Sequence, residues 1–153
     1  MIRVLFLMFF VTLTHEVFAN ENHVSKLEGK YRDWLVYTHL DGNEKVCYVV
    51  SYHKKKNKSQ YVMVNYVSKA ADEVVVSSNS HGPVVLNIDN RTTYKLPIIN
   101  NGLAWAENIK IDQDIVKKMK LGLSMVIKSN SNPVTYSLLG FTAAYNKMHD
   151  LCK

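Results

Sequence analysis

A mainly β fold, an immunoglobulin-like β-sandwich of about nine strands, is what this sequence predicts, and three observations carry the prediction. Nine short runs rich in Val, Tyr, Ile, Thr or Trp follow one another between Asp33 and Leu139. Turn formers separate them: Asp41-Gly42-Asn43, Asn57-Lys58-Ser59, the stretch from Ser77 to Pro83, Asp89-Asn90, Asn100-Asn101-Gly102 and the stretch from Ser129 to Pro133. Only two segments, near 112–121 and 141–151, have a helical period instead. Many short strands at this spacing suggest two packed sheets or a barrel.

The chain opens with Met1-Ile2-Arg3, a minimal positive start, followed by an apolar run over residues 4–11 and then by Val17-Phe18-Ala19. Small or β-branched residues at the two positions a signal peptidase reads make this a secretory signal peptide over residues 1–19, cut after Ala19. The apolar run is about half of the roughly 20 residues a bilayer-spanning helix needs. No later run is long enough to cross, so no transmembrane segment is expected after the cut. Residues 20–30 are polar and without period, and read as a flexible leader. The remainder, 31–153, is the size of a single domain with a hydrophobic core.

The expected strands run from Asp33 to His39, Lys45 to His53, Gln60 to Ser68, Asp72 to Ser77, Val84 to Asp89, Thr92 to Leu96, Gly102 to Ala106, Ser124 to Ser129 and Val134 to Leu139. In the first, Trp34, Val36 and Thr38 share one face and Leu35, Tyr37 and His39 the other. Asp89-Asn90 lies between two β runs, where a two-residue hairpin turn needs positive φ and Asn tolerates it. Trp34 and Trp105 each sit in a short β run with apolar neighbours and read as core residues. Asp112 is the expected N-cap of the short helix, Ile115, Val116 and Met119 its buried face, and Gly122 its stop. In the last helix Phe141, Ala144, Tyr145, Met148 and Cys152 recur at i, i+3, i+4, i+7 and i+11, a stripe that docks on the core and carries the final Cys with it.

Cys47 and Cys152 are the only cysteines, and in an oxidising compartment an even number of thiols usually pairs. A Cys47–Cys152 disulfide is expected; two separate buried thiols are the alternative. Two cysteines this far apart cannot build a zinc site unaided, and the histidines show no H-x-x-x-H or H-x-H spacing. Carboxylates are scattered, and no close pair lies in an apolar setting of the kind that tunes acid and base roles. Gly122-Leu123-Ser124-Met125 lacks the final Gly of a nucleophile elbow, and no glycine-rich phosphate loop is present. No enzyme activity, cofactor, metal site or catalytic residue is therefore expected.

The net charge of +6 is the one global feature that points at a partner. Lys54, Lys55, Lys56 and Lys58 concentrate four charges in one expected hairpin loop beside Tyr52 and Tyr61. Such runs are most often solvated loops that keep a protein soluble. The sharper reading is contact with an anionic surface such as lipid phosphates or acidic glycans. No helix-turn-helix, RNA-binding or zinc-finger signature accompanies the charge, so no nucleic-acid partner is expected.

One resemblance adds to these readings. Asp33-Trp34-Leu35-Val36, Lys45-Val46-Cys47-Tyr48-Val49, Tyr61-Val62-Met63-Val64, Ala104-Trp105-Ala106, the run from Met119 to Lys128 and the run from Tyr136 to Ala144 occur in an order and spacing that resembles the invasion-associated locus B family of bacterial secreted proteins. The resemblance spans about Tyr31 to Cys152 and implies a β-sandwich exported by a Gram-negative bacterium to the periplasm or cell surface. It implies a virulence-associated role in host-cell invasion or survival, supplies no mechanism and brings no catalytic residues with it; binding to a protein, glycan or lipid at the envelope or host surface is the first expectation for how that role is exerted. A periplasmic structural or chaperone-like module acting on the envelope indirectly is the competing expectation.

Overall fold

The computed structural model describes residues 25–55, 58–68, 73–80, 82–130 and 132–153, so the signal peptide expected over residues 1–19 lies outside the described residues. Among the described residues eleven strands and two helices follow in chain order: β1 (Lys26–Tyr31), β2 (Trp34–Asp41), β3 (Glu44–Lys55), β4 (Lys58–Ser68), β5 (Glu73–Asn79), β6 (Val84–Ile88), β7 (Thr92–Leu96), β8 (Ile98–Asn100), β9 (Leu103–Trp105), α1 (Ile109–Leu121), β10 (Ser124–Lys128), β11 (Val134–Ser137) and α2 (Phe141–Cys152). They build two antiparallel sheets in a sandwich-like fold, of orders β1-β2-β3-β4-β5-β9-β8 and β11-β10-β6-β7. The first five strands form an uninterrupted meander. The chain then enters the second sheet, returns to the open edge of β5, and re-enters the second sheet after α1.

Nine of these strands match the expected runs to within three residues at each end, and two were not expected. β1 lies where a flexible leader was expected: Lys26–Tyr31 is mostly polar, yet it pairs with β2 from Lys26↔Thr38 to Tyr31↔Trp34 across a bulge. Its strand state comes from a partner's unpaired edge rather than from its own residues. β8 is a three-residue edge strand, joined to β9 by a two-residue turn at Asn101 and Gly102, whose φ values are 49° and 75°. The expected β6–β7 hairpin is present, with φ of 50° at Asp89 and 55° at Asn90.

Alternation along the meander divides the seven-stranded sheet into two faces. Trp34, Val36, Cys47, Val49, Val62, Val64, Val74 and Val76 point into the core, each 0–2% exposed. Both helices and the second sheet pack there. Trp34 ties three of these elements together: its ring meets Phe141 edge-on at 4.7 Å, and its Nε1 donates to the Ser137 carbonyl at 2.9 Å. The stripe expected on α2 is the one that is buried, and Cys152 at its end is bonded to Cys47 on β3, with a Cα–Cα distance of 6.1 Å.

α1 starts at Ile109, earlier than expected, because Asn108 rather than Asp112 is the N-cap; its side chain accepts from the Lys110 and Ile111 N–H groups. Asp112 instead faces the sheet. Strand β9 pairs with β5 only from Ser77 to Asn79, which leaves the Val76 N–H without a strand partner, and Asp112 Oδ1 accepts it at 2.9 Å. The carboxyl thus continues the ladder where the strand stops. Gly140, at the entry to α2, has φ +91°, and a Cβ there would stand 2.5 Å from the Tyr31 carbonyl oxygen. Only glycine allows both the left-handed turn and this approach of α2 to the β1–β2 turn.

Candidate functional site

The face of the seven-stranded sheet opposite the core carries rings where the core face carries valines. Strand register sets them in rows. One row holds Tyr37, Tyr48, Asn65 and Val75; the next Leu35, Val50, Met63, Ser77 and Trp105; a third Tyr52 and Tyr61. Tyr37 and Tyr48 stack with centroids 5.4 Å apart, and Tyr52 meets Tyr61 edge-on at 5.8 Å. His39 closes the first row against Tyr48 at 6.0 Å. The side chains at the centre of this face are uncharged.

Most of these rings are half-exposed, and Tyr52 is 44% exposed. Partial burial pushes the Tyr52 and Tyr61 phenols up, so both remain neutral hydroxyls that donate and accept hydrogen bonds at physiological pH. Trp105 departs from expectation. It belongs to this outer face and is only half-buried, although its Nε1, like Ser77 Oγ across the ladder from it, is buried without a hydrogen-bond partner among the described residues.

The β3–β4 hairpin continues past the third row. β3 runs to Lys55 and β4 starts at Lys58, with Lys55 opposite Lys58 and Lys54 opposite Ser59. Lys54 therefore occupies the rung beyond the Tyr52–Tyr61 pair at a tyrosine-face register position. Lys56 and the side chains of Lys54, Lys55 and Lys58 lie outside the described residues. Since β2 begins at Trp34, opposite Ser51, the hairpin continues four residues past the end of its neighbour. Lys54, Lys55 and Lys58 thus sit in the strands of a projecting two-stranded arm rather than in a loop.

Other polar groups have structural partners. Asp114 accepts from the Tyr94 hydroxyl at 2.6 Å, and Asp89 accepts from the Leu123 and Ser124 N–H groups, which hold its carboxyl below the usual range. Burial pushes Asp112 up to about 6, against the opposing pull of the Val76 N–H. An open groove of about 410 Å³ between α1, α2 and β5 is lined by Val74, Val116, Leu121 and Tyr145 with Lys117 and Lys120. Lys120 lies 3.6 Å from the centroid of the Tyr145 ring. Among the described residues no three His, Cys, Asp or Glu side chains converge, and no helix is long and apolar enough to cross a membrane.

No protein-family model matches this sequence, and no curated protein matches it either. In three dimensions the chain is similar to the crystal structure of invasion associated protein B from Bartonella henselae, with a TM-score of 0.60 and 18% identity, over 84% of this chain and 96% of that one. The two share a fold.

Proposed function

We propose that this is a non-catalytic binding protein of the bacterial envelope or cell surface that engages an acidic glycan with the tyrosine face and the β3–β4 arm. The observation that carries the reading is the run of rings toward charge on one face, with Tyr37 and Tyr48 in the first row, Tyr52 and Tyr61 in the third, Lys54 at the next position of that face and Lys55 opposite Lys58 at the end of the arm. Flat aromatic rings flanked by neutral hydroxyl and amide groups suit the C–H faces and hydroxyls of sugars, and the lysines supply counter-charge for carboxylate or sulfate groups. Placement outside the cytoplasm is supported by the Cys47–Cys152 disulfide. The likeness to an invasion associated protein supports a role at the host interface.

The test is a binding titration of the mature chain against sulfated and carboxylated oligosaccharides. Changing Lys54, Lys55, Lys56 and Lys58 to Gln should weaken binding and flatten its salt dependence, because exposed charges are screened over about 8 to 10 Å at physiological ionic strength. Full binding by the Gln variant, or binding indifferent to salt, contradicts the proposal. Protease shaving of intact cells locates the protein: cleavage at the surface fits contact with a host ligand, and protection fits contact within the envelope.

A further inference from the structure

A second surface has a different composition. Leu121, Leu123 and Leu139 are 77%, 68% and 46% exposed. They come from two junctions that meet, the α1–β10 junction and the β11–α2 junction, linked by the Leu138 N–H to the Leu123 carbonyl at 2.9 Å. Gly122 between the first two would put a Cβ 2.9 Å from Leu138, whose side chain is buried while its neighbours' are not. None of the three belongs to a core stripe: α1 buries Ile115, Val116 and Met119, and α2 begins its stripe at Phe141. The fold does not use these leucines. Isolated exposed leucines are ordinary, but three at one corner form an apolar patch.

Cations border that corner from three elements. Lys118 and Lys120 are in the last turn of α1. The β1–β2 turn brings Arg32 beside it, since the Arg32 Cβ lies 3.3 Å from where a Gly140 Cβ would be. Arg91 follows the β6–β7 turn, whose Asp89 binds the Leu123 N–H. The acidic groups nearby are Asp33, next to Arg32, and Asp89, whose oxygens are already held by backbone N–H groups.

We propose that this corner docks the protein on an anionic phospholipid bilayer, with Leu121, Leu123 and Leu139 entering the interface and Arg32, Arg91 and Lys118 meeting lipid phosphates. Protruding apolar side chains inside a basic rim suit a surface that is hydrocarbon below and negatively charged above, since interfacial binding grows with buried apolar area and with attraction to anionic lipid. A soluble polyanion would leave the leucines in water. The site is separate from the tyrosine face and does not depend on the reading given to it.

The mature chain is co-sedimented with vesicles of phosphatidylcholine alone and of phosphatidylcholine mixed with phosphatidylglycerol. Binding is expected to the mixed vesicles only. It should fall by about tenfold or more in the L121S/L123S/L139S variant and also in R32Q/R91Q/K118Q, with the melting temperature of each essentially unchanged. The Gln variant of the β3–β4 arm should sediment like the wild type, which separates this proposal from the glycan reading. A Leu123→Trp variant should show a blue-shifted emission with mixed vesicles that brominated lipid quenches. The proposal is overturned if the wild type ignores anionic vesicles, if neutral vesicles bind equally, if the leucine variant sediments unchanged, or if the leucines instead support a dimer that vesicles do not disperse.

Discussion

The two faces of the seven-stranded sheet are made by the same residues' neighbours, one position apart, and they differ in their large side chains, Trp34 and a field of valines on one and four tyrosines around a buried Val50 on the other. Toward the core, β2 to β5 present Trp34, Val36, Cys47, Val49, Val62, Val64, Val74 and Val76, sealed by the helices and the second sheet. Away from it the same strands present Leu35, Tyr37, Tyr48, Tyr52, Tyr61, Met63 and Asn65, mostly half-exposed. Solvation alone does not require four tyrosines on an outer face, where Thr, Lys or Glu would serve. Tyrosine is the residue that gives large contact area at low entropy cost and keeps a polar tip. The inner face carries stability, and the outer face has the composition that the proposed glycan contact calls for.

The comparison breaks most visibly at the disulfide, which closes the core face against α2. Replacing Cys47 and Cys152 by Ala should cost about 4 to 5 kcal/mol on the chain-entropy estimate for a loop of this length, read from denaturant unfolding. Intact mass with and without reductant checks the bond itself, and two alkylatable thiols in the unreduced mature protein would contradict it. Trp34→Ala should cost about 3 to 5 kcal/mol, since it removes a fully buried ring and leaves the Ser137 carbonyl without its donor.

Asp112 sharpens the comparison at the edge where the core face meets α1. Its carboxyl is raised from 3.8 to about 6 by burial. A carboxyl raised on folding favours the protonated native state, so its contribution is fully present below pH 3.8 and is lost as the pH rises through about 6. The loss amounts to at most about 3 kcal/mol. Asp112→Asn keeps an oxygen for the Val76 N–H and should abolish this pH dependence in unfolding curves taken between these values. Gly140→Ala, which forces a Cβ against the Tyr31 carbonyl, should cost at least about 2 kcal/mol. On the outer face the effects on stability become small: Tyr52→Ala should cost roughly 1 kcal/mol, the worth of a cross-strand aromatic pair.

Much of the inner face was legible in the sequence because burial imposes a period. The α2 stripe from Phe141 to Cys152 and the Trp34, Val36, Thr38 alternation are patterns that only a packed core maintains, and the Asp89-Asn90 turn is local chemistry. Asp112 was misread because the same side chain satisfies an orphan N–H at a helix start or at a strand edge. Which one it meets depends on where β9 stops. β1 was missed because its pairing is dictated by β2, and Trp105 was placed in the core because a three-residue strand shows too little alternation to fix its face. The tyrosine rows were the least legible. Each ring is visible in the sequence, but their adjacency exists only once the registers Tyr37↔Tyr48 and Tyr52↔Tyr61 are set.

The division of labour between the faces is tested most directly by the Tyr52→Ala/Tyr61→Ala double variant, with acidic-oligosaccharide affinity and melting temperature measured on the same preparation. Affinity should fall by about tenfold or more, as expected when two stacking rings are lost, while the melting temperature drops by only a few degrees. An unchanged affinity, or unfolding as severe as that of Trp34→Ala, would contradict the account.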